Sequence, residues 1–155
     1  MKIIALIFLI SVINNVISED GTVEFNIHSQ NGVITLNCND FNACQISINN
    51  HLIEEEFYIN GNPDMAIKKL ANIDFDVHLI SLYNGDSCPN MYFIIELNSD
   101  KTFIKTQTFG NCNEFESIEF SEKDILLKFA SNSQASRIKQ VYEYSHKDHT
   151  LTKTY

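Results

Sequence analysis

His146-Lys147-Asp148-His149 is the densest group of potential ligands in the chain, two imidazoles three residues apart with a carboxylate between them. On a helix that spacing would set both rings on one face, where they could hold a metal. The flanking residues argue otherwise. Ile138 to Tyr144 and Leu151 to Tyr155 read as two strands, which makes the group a solvated hairpin turn. No third ligand can be placed beside it from the sequence. Cys38, Cys44, Cys88 and Cys112 are the other reactive candidates. A nucleophilic cysteine needs a free thiolate, and a cysteine-rich zinc site is expected to show a Cys-x-x-Cys pair, which is absent. Asp74, Asp76 and Glu96 could supply an acid/base pair of the kind that cleaves glycosidic bonds, but only geometry could pair them. The chain has no Gly-x-Ser-x-Gly elbow, Gly-rich phosphate loop or His-Glu-x-x-His helix. The sequence therefore predicts a protein that is not an enzyme, with no cofactor and no metal.

The elements that must carry these residues are short. Met1-Lys2, an apolar run from Ile3 to Ile10 and the exit Val16-Ile17-Ser18 form the three-part pattern of an export signal. The unbroken apolar run is too short to span a bilayer, and Asn14-Asn15 interrupt it. Residues 1–18 are thus expected to be removed, leaving 19–155 as a single domain in a secreted or periplasmic setting, without membrane insertion. In such a compartment an even cysteine count reads as two disulfides with three possible pairings. Cys38–Cys44 and Cys88–Cys112 are preferred, since each joins neighbouring segments.

Beyond the leader, alternating apolar runs are punctuated by Asn, Gly, Asp and Ser. Val23, Phe25 and Ile27 share a face, and Asn31-Gly32 supplies a hairpin signal before Val33 to Leu36. Cys44 to Ile48 and His51 to Ile59 follow, separated by Asn49-Asn50. Glu54-Glu55-Glu56 within the latter reads as a charged edge strand. Val77 to Tyr83 is apolar on both faces, as a strand covered on both sides must be. Met91 to Leu97, Phe103 to Phe109, Ile118 to Phe120 and Ile125 to Phe129 continue the pattern, and the final hairpin closes it. Residues 60–73 differ: Asn62-Pro63 resembles a helix start, and Met65, Ile67, Leu70 and Ala71 fit one short helix. The prediction is an all-β domain, with that one possible helix, built as an antiparallel sandwich or barrel of about ten short strands.

A formal net charge of −9 argues against nucleic acid, whose phosphates require clustered Lys and Arg, and in favour of a cationic protein partner. Loops 39–43, 84–90 and 110–114 adjoin the cysteines. Asp40, Phe41, Asp86, Glu114 and Phe115 are therefore the candidate partner-binding residues. The many Asn residues form no Asn-x-Ser/Thr acceptor, which leans towards a bacterial source.

Ser87-Cys88-Pro89-Asn90-Met91-Tyr92 and Phe109-Gly110-Asn111-Cys112 resemble the Cys-Pro and Gly-x-Cys turns that flank a hairpin in small exported bacterial β proteins. That resemblance implies a Cys88–Cys112 bridge and a periplasmic setting. In size, leader, cysteines and acidity the chain is also similar in build to periplasmic immunity proteins and lysozyme inhibitors. The resulting expectation is a non-enzymatic inhibitor or immunity protein that neutralises a cationic toxin or cell-wall hydrolase. A ligand-binding β-barrel, a secreted structural protein and an unrecognised hydrolase are the alternatives.

Overall fold

The computed structural model describes residues 13–17, 22–59, 67–72, 76–83, 85, 88, 90–110, 112, 114–120, 124–130 and 140–154. Among them there is no helix and there are thirteen strands, in three antiparallel sheets. The first sheet runs β1 (Ile13–Ile17), β2 (Val23–Ser29), β3 (Gly32–Cys38), β4 (Ala43–Ile48) and β5 (His51–Tyr58). The second holds β6 (Ile67–Asn72), β7 (Asp76–Leu82), β8 (Met91–Leu97) and β9 (Phe103–Lys105). The third holds β10 (Phe115–Phe120), β11 (Asp124–Phe129), β12 (Gln140–Ser145) and β13 (Thr150–Lys153). Each sheet is a meander in which sequence neighbours pair, so its ladder is closed by short turns.

The second sheet is the middle layer. One face, carrying Ile80, Phe93, Ile95 and Leu97, packs with Phe25, Ile34, Leu36, Ile46 and Phe57 of the first sheet. The other, carrying Val77, Leu79, Tyr92 and Ile94, packs with Leu127, Phe129, Tyr142 and Tyr144 of the third. Burial on both faces is what the unbroken apolar pattern of β7 and β8 requires. Each large apolar side chain so buried stabilises the fold by about 1.5–3 kcal/mol relative to exposure. The described interior is filled with Phe, Ile, Leu and Tyr, so the barrel with an internal ligand is set aside in favour of a packed, sandwich-like stack.

Residues 67–72, expected as part of a helix, form strand β6 instead; 60–66 lie outside the described residues. Ile67 and Leu70 are three apart because they enter different cores, Ile67 the first and Leu70 the second. A strand that sends one apolar residue into each core thereby mimics helical spacing. Strand β1 falls within the segment read as a leader, and pairs with β2 from Ile13↔Ile27 to Ile17↔Val23. The first hairpin also turns one residue earlier than its Asn-Gly signal, at Gln30-Asn31, since Ser29 pairs with Gly32. Gly32 is needed for space: a Cβ there would lie 2.8 Å from the Asn49 side-chain oxygen, which accepts the Val33 N–H at 3.0 Å. Asn49 and Asn50, with φ of 50° and 67°, make the left-handed two-residue turn expected between β4 and β5. Strand β5 is the edge of its sheet, as its three glutamates indicated.

Candidate functional site

Both predicted disulfides are present, Cys38–Cys44 and Cys88–Cys112. Cys38 and Cys44 are direct cross-strand partners, so their bridge clamps the mouth of the β3–β4 loop. Inside that loop the Asn39 side-chain oxygen accepts the N–H groups of Phe41 (2.9 Å) and Ala43 (3.1 Å). Asn42 takes a left-handed φ of 59°, and its carbonyl accepts the Ile59 N–H at 3.1 Å. These constraints hold Phe41 outward, 83% exposed. Ala43 pairs with Tyr58, itself 46% exposed. Tyr58 bridges to Tyr83, and Cys88 donates its N–H to Gly85, two residues on from Tyr83. The clamped loop and, through Tyr58, Tyr83 and Gly85, the described residues Cys88 and Cys112 of the second disulfide thus lie at one end of the molecule.

The predicted contact residues there divide. Asp40 and Phe41 are exposed on the clamped loop, and Glu114 is exposed beside the second disulfide. Phe115 is committed to the second core: its ring stands edge-on to Phe129 at 5.8 Å and carries the Lys68 ammonium 4.4 Å above it. Asp86 lies outside the described residues. A shallow depression of about 320 Å³ opens next to the clamped loop, with Asn37, Asn39, Gln45 and Glu56 in its lining. Sequence reasoning missed Tyr58 and Glu56 beside the clamped loop: Tyr58 pairs with Ala43, and Glu56 lines the depression with Asn39 and Ala43.

The opposite end gathers the buried titratable groups of the described residues. Asp76 and Glu96, considered as an acid/base pair, belong to opposite faces of the middle sheet: Asp76 pairs with Leu97, and Glu96 with Val77. They cannot act on one bond; Asp74 lies outside the described residues. Asp76 is buried against the Lys69 ammonium at 2.8 Å. Burial alone would raise its carboxyl, but hydrogen bonds from Lys69 and Ser29 and the nearby positive charge outweigh that and hold it below the ordinary range. His78, on the same face, is fully buried with no hydrogen-bond partner on either ring nitrogen. Burial pushes it down to about 4, against the raising influence of Asp76.

Glu96 is also fully buried, facing the third sheet. Tyr144 donates its hydroxyl to Oε2 at 2.7 Å, and Nδ1 of His146 lies 2.9 Å from the same oxygen. Nδ1 of His149 is 3.4 Å from Oε1. Burial, then the hydrogen bond to Glu96, raises the Tyr144 phenol well above its ordinary range, so it remains a donor. Residues 146–149 do form the predicted β12–β13 turn, but it is not freely solvated: both imidazoles face a buried carboxylate contributed by another sheet. A charged residue inside the otherwise apolar β8 was the one sequence signal for this, and it did not identify its partners.

The class defined so far is an acidic, disulfide-bonded, three-sheet antiparallel β protein. No protein-family model, curated protein or solved structure matches the chain.

Proposed function

We propose that this is a non-enzymatic binding protein that uses its disulfide-tied end to hold a cationic protein, such as a toxin or a cell-wall hydrolase. The observation that carries this reading is Phe41, an aromatic ring held in solvent by a clamped, hydrogen-bonded loop. Exposing it gains the fold nothing. An anchor fixed before binding loses little conformational freedom on docking. In the depression bordering the same loop, Glu56 and the carboxamides of Asn37, Asn39 and Gln45 offer acceptors on which a Lys or Arg side chain can settle. Asp40 and the net charge of −9 favour the same sign of partner.

Two disulfides fit an oxidising environment, and among the described residues no helix is long and apolar enough to cross a membrane. Both agree with the proposed secreted or periplasmic location. Cleavage of a leader after Ser18 would take β1 with it and make β2 the sheet edge.

The test is retention of basic proteins, a cationic muramidase among them, on the immobilised oxidised chain at low salt, with enzyme activity read in parallel. Retention should fall steeply as salt rises and should be lost in Phe41→Ala. Failure to retain any cationic protein, or retention indifferent to both salt and Phe41, would refute the reading.

A further inference from the structure

We propose that Glu96, His146 and His149 form a binding site for one divalent first-row transition ion, with Zn²⁺ as the reference case. The donors are two imidazole Nδ1 atoms and a carboxylate, the nitrogen-and-oxygen set such ions take. All three donor atoms lie within 4.8 Å of one another. Tetrahedral zinc with bonds of about 2.0–2.1 Å sets neighbouring donors about 3.3 Å apart. Nδ1 of His149 stands 3.4 Å from Oε1, close to that value, and Nδ1 of His146 stands 2.9 Å from Oε2 of the same carboxylate. The two rings are 34% and 40% exposed, so they can turn to complete the set and leave a side open for the ion to enter with a water.

The second observation is independent of the donor types. Oε1 of Glu96 is buried and accepts no hydrogen bond, an arrangement that is costly for a carboxylate oxygen removed from water. It is aimed at His149, on the side where the ion would sit. Oε2 is already oriented by the Tyr144 hydroxyl, the outer support that metal-ligating carboxylates commonly have. A cation between Oε1 and the two imidazoles satisfies the buried oxygen and replaces the close N–O approaches with coordinate bonds. Each neutral imidazole then presents its Nδ1 lone pair and keeps its proton on Nε2. Nitrogen-rich coordination with a single carboxylate disfavours Ca²⁺ and Mg²⁺, which prefer all-oxygen sets. The ion would staple the β12–β13 turn to β8, tying the third sheet to the middle one where no disulfide does so.

The experiment uses the full chain with both disulfides oxidised and stripped of metal by a chelator. Zn²⁺ binding is followed by calorimetry and Co²⁺ binding by visible absorption, with Ca²⁺ as the comparison ion. The wild type should bind one Zn²⁺ saturably, give a Co²⁺ ligand-field band, melt at a higher temperature with Zn²⁺ present, and show no response to Ca²⁺. His149→Asn tolerates the local φ of 52° and should melt like the metal-free wild type, while its Zn²⁺ affinity falls more than about tenfold. His146→Ala should show the same loss. Absence of saturable Zn²⁺ binding would reduce the cluster to a histidine–carboxylate hydrogen-bond group and overturn the proposal. Binding that survives both histidine changes would overturn it equally, by placing the ion elsewhere, such as on His28 or His51.

Discussion

The two ends of this molecule are made rigid by opposite chemistry. At one, covalent bridges close the loops, and the side chains on show include an aromatic ring and acids. At the other there is no disulfide among the described residues, and buried ionisable groups take its place: Asp76 with Lys69 and the unpartnered His78 within the middle sheet, and Glu96 reaching Tyr144 and two histidines of the third. A disulfide leaves the exposed surface free to vary, because it needs nothing from the neighbouring side chains. A buried charge commits every group around it. The first end should therefore respond to reductant and tolerate surface mutation, while the second should respond to acid and tolerate little.

The largest effect should come from the staples. In the chain-entropy description, losing Cys88–Cys112 by a paired change to Ser removes roughly 3.5 kcal/mol, and losing Cys38–Cys44 roughly 2.4 kcal/mol, because the second closes the shorter loop. Denaturant unfolding of the two paired variants should rank them in that order. The reverse ranking would mean that the small loop restrains more of the fold than its length implies.

Acid should strike the other end almost as hard. His78 titrates near 6.5 when unfolded and at about 4 when folded. Between those values the unfolded chain binds a proton that the fold excludes. Stability is thus complete above pH 6.5 and is lost as pH falls towards 4, by about 3 kcal/mol. Below that, protonation of Asp76, whose carboxyl is held under its ordinary 3.8, removes more. His78→Leu fills the same space with no proton to gain, and should flatten the decline of stability between pH 6.5 and 4. An unchanged slope in that variant would transfer the acid sensitivity to other groups.

Much of this architecture was legible in the residues. Alternation located most of the strands, and Val77 to Tyr83, apolar on both faces, marked a strand covered on both sides. The cysteine pairing followed from adjacency. Strand β6 was missed because Ile67 and Leu70 serve two cores, and a spacing of three is also what a helix displays. The Glu96 cluster was missed for a different reason: a charge inside apolar β8 marks Glu96, but Glu96 and His149 meet only because the third sheet stacks on the middle one, and nothing in the sequence names that partner. Phe41 could be named because its cysteines flank it in sequence, whereas Phe115, equally close to a cysteine, turned inward onto Phe129.

Tyr144→Phe tests how far Glu96 depends on its donor. The change keeps the ring in the second core and deletes the 2.7 Å hydrogen bond to a buried carboxylate. Bonds of this kind contribute about 1.5–3 kcal/mol, so thermal or denaturant unfolding should show a loss of about 2 kcal/mol. Capture of a cationic partner at the disulfide end should be unaffected. A loss at both ends would show that the two are coupled through the middle sheet.

The smallest effect on folding should be the most informative. Phe41 touches solvent over most of its surface and lies in a loop whose shape is set by Cys38–Cys44, by the Asn39 side chain and by the left-handed Asn42, none of which needs the ring. Phe41→Ala should therefore leave the midpoint of denaturant unfolding within about 0.5 kcal/mol of wild type, the range of an ordinary surface substitution. Anchors of this type carry about 2 kcal/mol or more of a protein interface, so the same variant should weaken partner binding at least about thirtyfold. If folding suffers instead, the ring is packing against residues outside the described set and is not an anchor. If neither changes, Phe41 has no role in binding, and the disulfides at this end serve stability alone.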